Sequence, residues 1–262
     1  MPLLDVENVS RRFGGLVALD KVAFSVSAGQ IKSIIGPNGA GKTTLLNVVS
    51  GLLSADTGRI QFRDSRIDGL KSHQIAQGGM SRTFQNPSLF LQMSVLENVM
   101  VGRHPRTRCG FAACCLRLPG QIREERRIRE SALEHLRFVG LEGMAGAPAG
   151  ALGFGERRMV ELARALATEP SLLLLDEPAS GLNNRETADL GELIRRIRER
   201  GITTLLVEHD MSLVMDISDD ILVLHNGTPL AEGAPAVIQN NEEVIRVYLG
   251  TGLEDAAASQ KS

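Results

Sequence analysis

The residues Gly36-Pro37-Asn38-Gly39-Ala40-Gly41-Lys42-Thr43 have the types and spacing needed to hold a polyphosphate. They match G-x-x-x-x-G-K-[ST] in full. They lie between an apolar run, Ile31-Lys32-Ser33-Ile34-Ile35, and a stretch of helical character, Thr43 to Val49. The glycines let successive backbone N–H groups curl round phosphate oxygens, and the helix start, with Thr44, adds its positive end. Lys42 can reach the outer phosphates, and the Thr43 hydroxyl can ligate Mg2+. A second chemical group lies far downstream, where the run Leu172-Leu173-Leu174-Leu175 ends in Asp176-Glu177. A buried parallel strand delivers carboxylates at its C-terminal end, where ligands gather in open α/β sheets. Asp176 suits the Mg2+ shell through water. Glu177 suits a general base that polarises an attacking water.

Both groups need strands and helices to hold them. Leu3 to Val9 alternates in part and reads as a half-buried strand, followed by strands at Phe24-Ser25-Val26, Ile31 to Ile35 and Thr57 to Phe62. Gly51 marks the C-cap region of the helix after the cradle. From about Ser94 to Ala167 the pattern turns helical, and residues 103–137 hold nine Arg against four Glu. Within it, Pro119 to Gly140 carries Arg123-Glu124-Glu125-Arg126-Arg127-Ile128-Arg129-Glu130, a helix with a charged, solvated face. A partner protein or membrane headgroups are the functional alternative for that face. After residue 170 the α/β alternation returns. Asn184 to Arg200 is an amphipathic helix, Ile202 to Val207 a buried strand, and Asn226-Gly227 joins Ile221–Leu224 to Thr228–Ala231 as a hairpin. The predicted layout is α/β, with a mainly parallel sheet, an antiparallel β part and an inserted α-helical subdomain. The tail from Leu253 reads as disordered.

Composition narrows the function. The 262 residues carry 29 basic and 31 acidic side chains, a balance of −2 that recruits no nucleic acid. Trp is absent and Tyr248 is the single tyrosine, which argues against an aromatic platform for single strands. No apolar run approaches the roughly 18 residues of a membrane-spanning helix, and the start lacks the features of a signal peptide. Cys109, Cys114 and Cys115 have neither zinc-ligand spacing nor a disulfide framework, and read as small apolar side chains in a reduced, cytoplasmic protein.

Five further segments narrow the class. They are Gln85 in Ser81-Arg82-Thr83-Phe84-Gln85, Leu152-Gly153-Phe154-Gly155-Glu156 followed by Arg157-Arg158, Ser180-Gly181-Leu182-Asn183, His209 after the strand ending at Val207, and Phe13 in Arg11-Arg12-Phe13-Gly14-Gly15. In this order they resemble the Q-loop, signature, D-loop, switch histidine and adenine-stacking aromatic of ABC transporter ATPases. The resemblance covers residues 4 to about 235. It implies a P-loop NTPase core at about 1–84 and 168–250, a helical subdomain at about 85–167 and a flexible tail at 251–262. It implies ATP and Mg2+ as cofactors, with Gln85 on the metal and the attacking water and His209 on the γ-phosphate. The signature, Leu152 to Glu156, contacts the γ-phosphate bound to a second cassette, so the unit is a head-to-tail dimer. Two transmembrane permease subunits dock on it at the cytoplasmic face of the membrane. The helical segment beginning near Phe84, with Leu89-Phe90 and Val95-Leu96, is apolar enough to meet them.

A narrower resemblance joins Val207 to Met215, Asn226 to Pro235, Tyr248-Leu249-Gly250, the Arg82-Thr83-Phe84-Gln85 segment and the insertion His104 to Arg127 to LivG-type ATPases of branched-chain amino acid importers. That group implies a second, similar ATPase subunit and, indirectly, a substrate-binding protein. ATPases of importers for urea and other amides share parts of the pattern. A soluble, non-transport ABC ATPase and a non-hydrolysing regulatory module are the alternatives outside transport. One departure stands out. The family's signature is Leu-Ser-x-Gly-Gln, and here Gly153 replaces the serine and Glu156 the glutamine. The missing hydroxyl removes one hydrogen bond to phosphate, about 0.5–1.5 kcal/mol.

Overall fold

The computed structural model describes residues 2–85, 88–103 and 119–248. Cys109, Cys114 and Cys115, the start of the Arg-rich insertion (104–118) and the residues from Leu249 onward lie outside the described residues. Alternation between apolar and polar residues builds an antiparallel sheet. Strand β1 (Leu4–Phe13) pairs β2 (Leu16–Val26) with Leu4 opposite Val26 and Val6 opposite Phe24. On its other side β1 pairs β4 (Thr57–Phe62), and β5 (Ser65–Arg66) completes the order β2-β1-β4-β5. Only the beginning of β1 and the last three residues of β2 are legible in the sequence. Register shifts after Val6, Val9 and Arg11 break the two-residue period there, so the alternation is lost while the pairing continues.

The second sheet has six strands in the order β10-β9-β3-β8-β7-β6. At its centre β3 (Ile31–Ile35), β8 (Thr203–Val207) and β7 (Leu172–Asp176) are buried at every position, as parallel strands covered on both faces must be. Strands β6 (Met80–Arg82) and β9 (Asp220–His225) are also parallel, while β10 (Thr228–Gly233) pairs β9 antiparallel. Asn226 and Gly227, at φ +48° and +77°, make the hairpin turn expected of that dipeptide. Strand β6 is too short to read from sequence.

Helix α1 (Lys42–Val49) follows the cradle, and its last turn ends at Ser50 with Gly51 at φ +71°. After α2 (Ser72–Gln77) come α3 (Val95–Val101), α4 (Pro119–Phe138) and α5 (Phe154–Leu166), which pack together through Val95, Val99, Ala132, Leu136, Val160 and Ala163. Helices α6 (Asn184–Glu199) and α7 (Met211–Ile217) join α5 on one face of the six-stranded sheet, against Leu173, Leu175 and Leu206. The antiparallel sheet and α1 cover the other face, against Ile34, Leu174 and Leu205. Side chains start three of these helices: Ser94 accepts from the Glu97 N–H, Asn183 from Arg185 and Glu186, and Asp210 from Leu213. Helix α5 begins inside the signature, at Phe154, and α4 ends before Gly140, whose φ of +81° closes it. Beyond β10, α8 (Pro235–Gln239) and helical residues 242–248 bury Ile238 and Val244 on Ile35 and Val223. Tyr248 packs onto that group, and burial pushes its pKa up to about 12, with the Gly36 backbone opposing the rise. Mainly parallel sheet, antiparallel part and helical segment are the architecture the sequence predicts.

Leu174 is fully buried in β7, where the face carrying α1 meets the carboxylate strand. Leu174→Ala costs about 2–5 kcal/mol in denaturant unfolding. Val237→Ala, on an exposed position of α8, changes stability by less than about 0.5 kcal/mol.

Candidate functional site

The cradle leaves β3 at Gly36, whose φ is +152°. A Cβ there would lie 2.1 Å from the Leu224 carbonyl oxygen of β9, so only glycine lets the loop start so close to the neighbouring strand. Gly41, at φ +100°, caps α1, and a Cβ on it would meet the Ala18 carbonyl at 2.6 Å. Lys42 is buried, and its Nζ donates to the carbonyls of Gly36 (2.7 Å) and Pro37 (3.0 Å). Burial lowers the Lys42 pKa, and the charges of Glu177 and Asp176 oppose that shift. A cleft of about 340 Å³ opens over the loop, bounded by Phe13, Leu16, Val17 and Ala18 on one side, Asn38 to Thr44 on the other, and Glu177. Phe13 is 43% exposed, with the Arg11 guanidinium 5.0 Å from its ring centre. An aromatic wall, a run of backbone amides with one buried ammonium, and a carboxylate fit the base, the phosphates and the attacking water of a nucleoside triphosphate.

Asp176 ends β7 with 3% of its surface exposed, and its Oδ2 accepts from Arg82 Nη2 at 2.8 Å. Arg82 Nη1 donates to Asn47 Oδ1 and Ser50 Oγ at 2.8 Å each, so this arginine ties the Asp176 strand to α1. Glu177 follows at φ +47°, a left-handed conformation that costs a non-glycine residue about 1–3 kcal/mol. Its N–H donates to the Val207 carbonyl at 2.9 Å, which holds the bend. Glu177 Oε2 accepts from Gln85 Nε2 at 2.8 Å and lies 3.9 Å from His209 Nδ1. The fold thus brings Gln85, Glu177 and His209 together from three separate segments.

The signature is built differently. Leu152 is buried, and Gly153 is the N-cap of α5 in ordinary extended backbone. The Gly153 N–H donates to Glu156 Oε2 at 2.8 Å, so Glu156 occupies one amide at the helix start. Phe154 is 45% exposed, and its ring leaves no room for a Cβ on Gly181, which would approach within 2.9 Å. Gly155 faces Glu186 and Leu182. None of Leu152 to Glu156 lines the cleft over Gly36 to Thr43 within one chain.

Four side chains that hold these loops have no role readable from the sequence. Arg82 is the first. Arg158 is the second: its side chain is 2% exposed, and it donates to the carbonyls of Phe84 (2.8 Å), Gln85 (2.7 Å) and Glu177 (3.4 Å). Glu161, on the same helix, accepts from the Phe84 N–H at 3.0 Å, and burial raises its pKa against the pull of that amide and Arg158. Glu208, the fourth, sits beside His209 in a fully buried position. Each lies within a few positions of a motif residue, which is the one signal the sequence offered.

A family model described as ABC transporter matches residues 19–180. The chain belongs to the ABC transporter family. A second model, described as branched-chain amino acid ATP-binding cassette transporter, matches residues 228–254 of this cassette. The cassette is 45% identical over 250 residues to the high-affinity branched-chain amino acid transport ATP-binding protein BraF of Pseudomonas aeruginosa, covering 95% of this chain and 98% of that one. The match to LivG of Escherichia coli K12, a protein of the same description, has the same identity and coverage. A solved nucleotide-free ATP-binding cassette from an ABC transporter superposes with a TM-score of 0.83 at 33% identity, covering 95% of this chain and 99% of that one. The ADP conformation of an ABC transporter cassette gives 0.83 at 32% identity, with the same coverage.

Arg158→Met leaves the Phe84 and Gln85 carbonyls without their donor and Glu161 without its nearest cation. The variant loses about 3–5 kcal/mol of stability, read as a lowered unfolding midpoint. Its residual folded fraction binds ATP through an unchanged cradle but turns over more slowly, because Gln85 and Glu177 lose their common anchor.

Proposed function

We propose that this ABC ATPase energises an importer for branched-chain amino acids. The observation that carries the catalytic part is the placement of Glu177 between Gln85 and His209 at the rim of the phosphate cleft. The amino acid reading is supported by the end-to-end match to the two relatives named for that transport and by the model that matches residues 228–254.

In this reading Phe13 stacks on the adenine, the amides from Gly36 to Thr44 wrap the phosphates, and Lys42 places its ammonium against the outer ones. Glu177 accepts a proton from the attacking water, Gln85 orients that water, and His209 contacts the γ-phosphate. Among the described residues no three His, Cys, Asp or Glu side chains cluster to hold a metal. The donors on offer are the Thr43 hydroxyl, the Gln85 amide oxygen and Asp176, hard oxygens that suit Mg2+ when phosphate oxygens complete the shell. Bound there, Mg2+ neutralises charge on the phosphates.

Leu152, Gly153, Phe154, Gly155 and Glu156 lie away from their own chain's cleft and serve the nucleotide of a second cassette. ATP closes the head-to-tail dimer, and hydrolysis reopens it. The second cassette is a similar ATPase, so the dimer is a heterodimer. No helix among the described residues is long and apolar enough to cross a membrane, and the cassette works at the cytoplasmic face through two permeases, fed by a binding protein. Phe84 and Val101 line one surface cleft, and Phe84 and Leu52 line another. All three side chains are exposed, as are Phe90 and Leu91, and they give the permeases an apolar landing surface beside Gln85. Residues at about 85–167 form the helical subdomain, and those at about 1–84 and 168–250 form the core.

Glu177→Gln keeps the hydrogen bond from Gln85 to its amide oxygen but removes the base. Turnover falls by about a hundredfold or more, and light scattering of the variant mixed with the second cassette finds a dimer with Mg-ATP that dissociates when nucleotide is removed. Multiple turnover at the unmodified rate would show that the base is elsewhere. Tagged Glu177→Gln, pulled from native membranes with Mg-ATP, brings down two membrane-spanning chains and a second cassette. Recovery alone, or with ribosomal or DNA-bound proteins, overturns the transport reading. At Gly153 the backbone is ordinary, and a Cβ meets only Glu156 Oε2, at 3.6 Å. Gly153→Ser therefore fits and raises turnover by about two- to tenfold, the worth of one hydrogen bond. An unchanged rate means that the missing hydroxyl does not limit this cassette.

A further inference from the structure

The parallel ladder between β7 and β8 ends at the pair Asp176 and Val207. One more backbone bond, from the Glu177 N–H to the Val207 carbonyl, follows, and then the chains part. The first leads through Glu177 and Pro178 to Ala179-Ser180-Gly181-Leu182, and the second through Glu208 to His209 and Asp210. One carboxylate spans the gap. Glu208 is fully buried. Its Oε1 accepts from the Ala179 N–H at 2.7 Å, and its Oε2 from the N–H groups of His209 (3.0 Å) and Asp210 (3.4 Å). His209 Nδ1 lies 3.7 Å from the same Oε2. Burial raises the Glu208 pKa, and the three amides oppose the rise. A group placed only to fill a core would be apolar, since taking a carboxylate out of water is costly unless all its lone pairs are used. Here both oxygens are used, one on each loop.

We propose that Glu208 is a positioning residue that fixes the switch histidine relative to the loop Ala179 to Leu182, so that His209 meets Glu177 and the γ-phosphate only while that loop is seated. Ala179 lies two residues after Glu177, and His209 is the next residue after Glu208. The backbone fixes the two strand ends, and the carboxylate ties the loop that follows the base to the segment that carries the histidine. In the same loop Gly181 faces the Phe154 ring of the signature, so closely that a Cβ would come within 2.9 Å of it. A movement of the signature is thereby passed to His209 through Ala179 and Glu208.

The inference rests on the reading of Glu177 and His209 as parts of the hydrolytic site, so the test is a double-mutant cycle on the full chain in its complex. Glu208→Gln has the same shape but only one accepting oxygen, so it releases one of the two loops. Alone, it lowers kcat by about ten- to a hundredfold, the worth of a hydrogen bond to a charged group, while KM and the Kd for ATP stay within about twofold of the unmodified protein. In a His209→Ala background the same substitution lowers kcat by less than about twofold, because the side chain it positions is gone. Equal losses in both backgrounds, or a rise in KM with kcat unchanged, overturn the proposal. A kcat that is insensitive to both His209→Ala and Glu177→Gln instead overturns the hydrolytic reading itself. A measurement on the unmodified protein keeps the test open if Glu208→Gln fails to fold. The Ala179 amide hydrogen must exchange with solvent at least about a hundredfold more slowly than an open amide, and exchange at the open rate sinks the idea.

Discussion

A guanidinium taken almost wholly out of water needs partners for its charge, and Arg158 finds them in backbone carbonyls of loops that carry the chemistry. Desolvating the ion costs several kcal/mol, and each charge-assisted bond returns about 1.5–3 kcal/mol. The cost is met only if the carbonyls of Phe84, Gln85 and Glu177 stay where α5 puts them. Glu161, one turn along the same helix, takes the Phe84 N–H. One face of α5 therefore grips the segment before Gln85 by both its donor and its acceptor. The N-terminus of that helix is the signature. Signature, Gln85 and Glu177 thus share one mechanical mount, and a shift of α5 is felt at the cleft without any change in the cradle.

Asp176 and Glu177 are neighbours with opposite tasks. Asp176 is buried and held by an arginine that also bonds α1, so it is a fixed anion. Glu177 turns away through a left-handed backbone, is partly exposed, and has an amide and an imidazole beside it and no guanidinium on its carboxylate, with the Lys42 charge acting on it across the cleft. Environment, not residue type, divides the work of the pair. The strain at Glu177 is the means of division, because a regular strand would send successive side chains to opposite faces.

What could be read from the chain is local. The cradle, the apolar runs of β3, β7 and β8, the Asn226-Gly227 turn and the amphipathic α6 announce themselves in a few consecutive residues, and the family order of motifs fixes how they assemble. What could not be read is the pairing of residues far apart. Arg82 meets Asp176 across 94 positions, and Arg158 reaches Phe84 across 74. An isolated arginine or glutamate in a sequence looks like solvated surface, and only the fold shows it to be buried. The short strand β6 and the bulged part of β1 escaped for a different reason, since neither keeps a period long enough to register. Gly153 and Glu156 were legible as departures. That Glu156 spends its carboxylate on the Gly153 amide was not.

Tyr248 has a use apart from packing. The chain has no tryptophan and no other tyrosine, so its tyrosine emission, excited at wavelengths the phenylalanines do not absorb, has a single source. That source packs beside Ile35, where β3 becomes the phosphate loop, and its proton is held well above physiological pH. Intrinsic fluorescence of the untouched protein is therefore not an average over many rings. It is an optical label at one place, seated behind Gly36 and free of ionisation effects. Nucleotide arrival and loop movement can be followed in time without attaching a dye.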